Sequence, residues 1–236
     1  MLKGINYISS NNLELDVSGL SNGYIKARVI KPLKKRYKLR VMKSMTYDYD
    51  LNNEGKYEVI PLQMGDGAYE VALYRNVKSN KYATDGSMTV NMCLSRANSP
   101  YLCPNQMINY TDCHEIINKA LTFFHDDPGV MIRRTKNFIE TFSYDYIKAI
   151  LTKVGQLPDI EKCFASKMGI CQDLAALTVA MLRVNGIPAK MIIGYAGRKY
   201  HAWVEYWQNE KWNRYDPTKM IIRSRKDEEY STERWY

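Results

Sequence analysis

Phenylalanine is scarce in this chain, with 5 residues among 236 against 19 tyrosines. Its aromatic rings therefore mostly carry a hydroxyl, which suits strands with one half-wet face. Histidine is scarcer still, at 3, so imidazole chemistry is confined to very few positions. No apolar stretch approaches the ~18–20 residues of a membrane span. The start, "MLKGINYISSNNLELDVSG", lacks the apolar run of about 7–15 residues that marks a secretory signal. As written, the chain is expected to be soluble, not membrane-spanning, and cytoplasmic; a chain whose signal had been removed would read the same. A glycine-rich phosphate loop is missing. "DYDLNNEG" at 48–55 comes nearest to an acidic calcium loop but fits a hairpin turn better. Cys103, Cys113 and His114 do not have the paired spacing of a zinc site. No metal and no cofactor are expected.

What is present is ordinary in bulk: 45% hydrophobic and 25% charged residues, enough for a packed core at this length. The net charge of +9 favours acidic partners. Much of the excess lies in "KPLKKRYKLR", residues 31–40, read as an exposed hairpin with outward charges that could bind an anionic polymer. No nucleic-acid motif accompanies it, so no specific nucleic-acid binding is expected. Cysteine counts 5, an odd number without a framework spacing, which favours free thiols over disulfides.

The first hundred residues alternate with a period of two. Ile25, Ala27 and Val29 share one side of "YIKARVI"; Leu39 and Val41, Tyr69, Val71 and Leu73, and Met88, Val90 and Met92 repeat the pattern. Turn signals at "NNEG", "GDG" and "KSNK" separate the runs, predicting an antiparallel β-sandwich. Prolines in "SPYLCPNQ", 99–106, mark a boundary between domains 1–100 and 101–236. Beyond it the period lengthens. "DCHEIINKALTFF" is a helix, and "DDPGVMIRRTKNFIETFSYDYIKAI" reads as one long second helix capped by Asp126 or Asp127. "CQDLAALTVAMLRVNG" is a third, stopped by Gly186 and Pro188. "PAKMIIGYA", "YHAWVEYW" and "KWNRYDP" then read as strands. The fold class is α+β.

Cys171 opens the third helix, where free N–H groups and the helix dipole favour a thiolate. A thiolate attacks carbonyls. Gly169 would let the backbone approach a substrate, and the Cys171 N–H is aimed to hold an oxyanion. A cysteine in an apolar segment is usually packing, and Cys93, Cys103, Cys113 and Cys163 are read that way. His201 sits thirty residues after Cys171, beside Trp203 on a strand. A short turn after that strand would return Asp216 alongside His201, where a carboxylate can orient the base. Taken alone, such a His–Asp pair is more often structural.

These residues resemble a family. "GICQDLAALTVAMLRVNGIPAKMIIGYAG", "YHAWVEYW" and "WNRYDPT" are similar to the G-x-C-x-D-x-A-x-L, L-R-x-x-G-I-P-A, H-A-W-x-E and D-P-T blocks of the transglutaminase-like superfamily, in order and at its spacing. "MTYDYDLNNEGKYEVIPLQMGDGAYEVALYRNV" and "YLCPNQMINY" resemble bacterial proteins that place a β-sandwich before this core. The resemblance implies a papain-like core of helices on an antiparallel sheet. It also implies a triad with Cys171 as nucleophile, His201 as base and Asp216 as its orienter. The implied activity is acyl transfer through a thioester on a peptide or protein substrate: hydrolysis by preference, glutamine–amine cross-linking as the alternative, or envelope or polymer binding with a vestigial triad. Such relatives are commonly exported to the cell envelope, which opens an envelope-attached or secreted location as the alternative to the cytoplasm. Gln172 stands where the family often has an aromatic residue, a change in pocket lining.

Gly169, Gln172, Trp203 and Tyr144 are the expected substrate-side residues. Trp203 and Trp212 could wall the cleft or pack in the core, and Tyr144 or Tyr146 could supply a second oxyanion donor. Asp173 is read as a helix cap and Arg183 as structural.

Overall fold

The computed structural model describes residues 6–153, 155–223 and 228–236; residues 1–5, where the reading of the export signal begins, lie outside them. The chain forms two compact units, one up to Cys103 and one from Pro104 on.

The first unit holds β1 (Tyr7–Ser10), β2 (Leu13–Asp16), β3 (Tyr24–Val29), β4 (Tyr37–Met42), β5 (Thr46–Leu51), β6 (Glu58–Pro61), β7 (Gly67–Lys78) and β8 (Lys81–Met92). They make two four-stranded antiparallel sheets, ordered β1-β2-β3-β6 and β5-β4-β7-β8. Alternation decides which side is dry: Ile25, Ala27 and Val29 are buried from β3, and Tyr37, Leu39 and Val41 from β4. The tyrosines divide the same way, with Tyr37, Tyr47 and Tyr69 almost fully buried. The Tyr69 hydroxyl donates to the Gly65 carbonyl at 2.7 Å, so the buried ring keeps a partner for its polar tip.

The basic run is not a hairpin by itself; its second half is the first strand of the β4–β5 hairpin. Residues 31–36 are exposed, and the remainder enters β4, an interior strand of its sheet. There Arg40 makes a two-pronged ion pair with Asp48 across β4 and β5, at 2.7 and 2.9 Å. Lys38 stands opposite Asp50 in the register and lies over the Tyr82 ring. Cross-strand carboxylates thus offset part of the charge that the sequence concentrates here.

The second unit contains α1 (His114–Leu121), α2 (Pro128–Ile139), β9 (Ser143–Tyr144), α3 (Tyr146–Leu151), α4 (Ile160–Ser166), β10 (Met168–Gly169), α5 (Cys171–Val184), β11 (Ala189–Ala196), β12 (Lys199–Gln208), β13 (Lys211–Tyr215), α6 (Pro217–Ile221) and β14 (Tyr230–Trp235). The strands from β11 on form an antiparallel sheet ordered β13-β12-β11-β14. α5 is the central helix, buried from Asp173 to Arg183. Its apolar side chains join those of α1, α2, β11 and β12 in one core. Gly186 takes φ +72° after the helix, and its N–H closes on the Arg183 carbonyl. Among the described residues, no helix is long and apolar enough to cross a membrane.

The long second helix is a correction. Asp127 does cap α2, accepting from the Gly129 N–H at 2.8 Å, and Pro128 occupies the first turn. The helix ends at Ile139, however, and Ser143–Tyr144 pair in parallel with Met168–Gly169. Asp145 then caps a new helix, α3, accepting from the Lys148 N–H at 2.8 Å. An aspartate that can satisfy a backbone donor with its own side chain competes with helix continuation.

Candidate active site

Everything at the start of α5 is organised by one carboxylate. Ile170 is the N-cap and Cys171 the first helical residue. Asp173, fully buried, accepts on Oδ2 from the Ile170 N–H at 3.0 Å and from Lys148 Nζ at 2.6 Å, and on Oδ1 from the Asp159 N–H at 3.0 Å. It therefore does more than cap α5: it ties the helix to α3 and to the first residue before α4. The two-residue pairing of β9 with β10 adds a second tie, with the Asp145 N–H donating to the Gly169 carbonyl. Gly169 is required on its inner side. A Cβ there would sit 2.6 Å from Cys163 Sγ and 3.0 Å from Asp173 Cβ. Packing accounts for this glycine, where the sequence reading looked to the approach of a substrate.

Cys171 is half-buried at the mouth of the helix, where unpartnered N–H groups and the dipole favour negative charge. The other thiols differ. Burial pushes Cys113 up to about 11 and Cys163 up to about 12, which suits packing. Cys93 is exposed and does not have the packing role expected of it.

The hairpin between β12 and β13 turns through Asn209 and Glu210, both at positive φ (54° and 58°), the geometry of a tight two-residue turn. It returns Asp216 to His201: His201 Nε2 lies 2.8 Å from Asp216 Oδ2. That leaves Nδ1 clear of the carboxylate, and Cys171 is near enough to influence the protonation of His201. Asp216 is also the N-cap of α6, accepting on Oδ1 from the Lys219 N–H at 3.0 Å, with Pro217 in the first turn. Burial opposes protonation of His201, but the bond to Asp216, the neighbouring Cys171 side chain and the charge of Asp216 outweigh that and lift it to about 10. Burial likewise opposes ionisation of Asp216, yet the bond and charge of His201, the Lys219 N–H and the Tyr230 hydroxyl hold it below its ordinary value. With His201 raised and Asp216 lowered, the pair at neutral pH is an imidazolium on a carboxylate.

The four expected substrate-side residues divide. Tyr144 lies near Cys171: burial raises its phenol to about 12, and the neighbouring Cys171 adds to the rise. Its ring meets Tyr146 edge-on at 5.0 Å. Gln172 is half-buried and donates to the Gln156 carbonyl at 3.1 Å. Gly169 is buried, as described. Trp203 is 1% exposed and is a correction, since a side chain so covered cannot line an open cleft. It stacks behind His201 at 6.3 Å and meets Tyr230 edge-on at 4.9 Å. Consecutive Ala202, Trp203 and Val204 are all buried, so both faces of β12 are dry and alternation could not distinguish them. Trp212 pairs with Trp207 at the far end of the hairpin. Arg183 bonds the carbonyls of Ala189 and Tyr236, a structural role.

Residues 118–217, which contain all three of these groups, match the transglutaminase-like superfamily. The match lies wholly within the second unit and covers under half of the chain. A Pseudomonas aeruginosa relative, named protein-glutamine gamma-glutamyltransferase, is 35% identical over 77 residues, covering 26% of this chain and 12% of its own length. The Bacillus subtilis protein YebA is 26% identical over 120 residues, covering 42% of this chain and 16% of itself. The matched stretch thus spans less than a fifth of either relative. The periplasmic domain of TgpA from Pseudomonas aeruginosa is similar at 16% identity and a TM-score of 0.41, covering 85% of this chain and 73% of that one.

Three residues around this site are not signalled by the sequence. Lys148 and Asp159 meet Asp173 from other elements, and nothing in local spacing announces such pairings. Tyr230 lies on β14, a strand that was not foreseen. Its hydroxyl donates to Asp216 Oδ2 at 2.7 Å. The D-P-T run does carry a signal for α6, an N-cap aspartate followed by proline.

Proposed function

We propose that the chain is a thiol acyl-transfer enzyme in which Cys171 is nucleophile, His201 acid and base, and Asp216 the orienting carboxylate. The observation that carries this reading is the 2.8 Å pairing of His201 with Asp216 near Cys171, which opens a buried helix. The thiolate attacks an amide carbonyl carbon, and the Cys171 N–H stabilises the oxyanion, with Tyr144 nearby as a second donor. The C–N bond breaks as the imidazolium of His201 gives its proton to the leaving amine. A thioester remains on Cys171. Neutral His201 then takes a proton from water, which attacks the thioester, releases the acid and restores the ion pair. The favoured acceptor is water, because Cys171 is only partly buried; the enzyme is then a peptidase or amidase. The second reading, transfer to a primary amine, is supported by the name of the Pseudomonas relative.

Iodoacetamide at neutral pH tests the nucleophile. Fast alkylation confined to Cys171 is expected; equal labelling of exposed Cys93 and Cys171 would sink the proposal. Glutamine peptides incubated with and without a fluorescent primary amine, read by mass spectrometry, separate the acceptors. Hydrolysed product in both tubes supports hydrolysis, and amine adduct supports transfer.

A further inference from the structure

We propose that Tyr230 is a positioning residue of this site, a second donor that shares Asp216 Oδ2 with His201 and thereby sets how strongly the carboxylate holds the imidazole. The inference rests on the acyl-transfer reading for its consequence, but not for its geometry.

Oδ2 of Asp216 receives two donors, His201 Nε2 at 2.8 Å and the Tyr230 hydroxyl at 2.7 Å. A carboxylate oxygen that serves a phenol and an imidazole divides its charge between them. With the phenol bonded, the pull on His201 is less than Asp216 alone would exert, so the imidazolium remains a better acid toward a leaving amine. Arg214 strengthens this, since its guanidinium lies 4.4 Å over the Tyr230 ring and a cation there makes the phenol a better donor. Burial, the bond to Asp216 and the charges of Asp216 and Glu228 act the other way and keep the proton on the Tyr230 oxygen. The titratable groups facing His201 are Cys171 from α5, Asp216 before α6 and Tyr230 from β14; Arg214 and Glu228 face Tyr230.

The ring is held as firmly as the hydroxyl. Trp203 meets it edge-on at 4.9 Å, and Trp203 in turn stacks behind His201. Gly194, opposite His201 in the β11–β12 register, lets β14 come close: a Cβ there would stand 2.0 Å from the Ser231 carbonyl oxygen. The register of β11 with β14 shifts at this same point, and Tyr230 is the residue before Ser231.

Y230F removes the donor and keeps the ring. Two readouts at His201 follow. The Nε2 proton resonance should move downfield as its hydrogen bond to Asp216 shortens. The upper inflection in the pH profile of Cys171 alkylation by iodoacetamide, where the imidazolium loses its proton, should rise by roughly one unit, a tenfold change in the equilibrium. With amide substrate, kcat should fall while KM holds. D216N should abolish the effect, so that D216N and D216N/Y230F coincide. A folded Y230F with resonance and inflection unmoved would overturn the proposal, whatever happens to its rate. If Y230F does not fold, the wild type decides: a low-field Tyr230 hydroxyl proton that D216N abolishes supports the proposal, and its absence overturns it. Loss of selective Cys171 labelling in the wild type would instead count against the enzymatic reading and leave the proton resonances to judge Tyr230.

Discussion

Asp216 combines two duties that are usually separate: it caps α6 through Oδ1 and holds His201 through Oδ2. D216N keeps the size and one acceptor oxygen, so the helix should persist while the imidazolium loses its counter-charge. Amide turnover is expected to fall roughly 10²–10⁴-fold, the span usual for positioned acid–base catalysis, with the melting temperature little changed; a rate within a factor of three of wild type would remove Asp216 from the mechanism. The same pair makes stability depend on pH. His201 is raised from 6.5 to about 10 in the folded chain, so its contribution is complete below about 6.5 and is lost as pH climbs through 10. Asp216 is lowered, so its contribution is present above its ordinary value of 3.8 and disappears as pH falls below that. Denaturant unfolding of wild type and H201N should therefore differ most near pH 6 and converge toward pH 10. The pairing of His201 with Asp216 and the place of Cys171 at the start of α5 were legible because each residue lies in a short run with a clear period and turn. Tyr230 was not, because its partnership is made by a strand added at the sheet edge.

At the scale of elements, the site depends on pieces too short to show a period. β9 and β10 have two residues each, and α3 has six, so hydrophobic spacing could neither place them nor break the long helix it suggested. The strands β11 to β13 and helix α5, with their longer patterns and clear stops, were readable. β10 is also where packing is tightest. G169A would drive a Cβ into Cys163 Sγ in a buried spot, and overpacking of this kind costs about 1–3 kcal/mol. C163A removes the sulfur that stands in the way. In a double-mutant cycle by urea unfolding, G169A/C163A should be more stable than the two single losses add up to. Simple additivity would mean that the contact with Asp173 Cβ, and not the sulfur, sets the cost.

For the molecule as a whole, the useful asymmetry is optical. All four tryptophans, Trp203, Trp207, Trp212 and Trp235, lie beyond Pro104, whereas tyrosines are spread along the chain. The second unit has a core of its own, centred on α5, and chains of more than one unit commonly depart from a single unfolding step. Asp173 is the lever that tests this. D173A leaves Lys148, 20% exposed, without its 2.6 Å partner and the N–H groups of Ile170 and Asp159 without their acceptor. Breaking a buried pair by removing one member costs about 3–5 kcal/mol. Tryptophan fluorescence should then report a much lower unfolding midpoint, while far-ultraviolet circular dichroism keeps a component at the wild-type midpoint from the two sheets of the first unit. If both signals shift together by the same amount, the two cores stand or fall as one, and the carboxylate at the start of α5 also governs the stability of the sheets of the first unit.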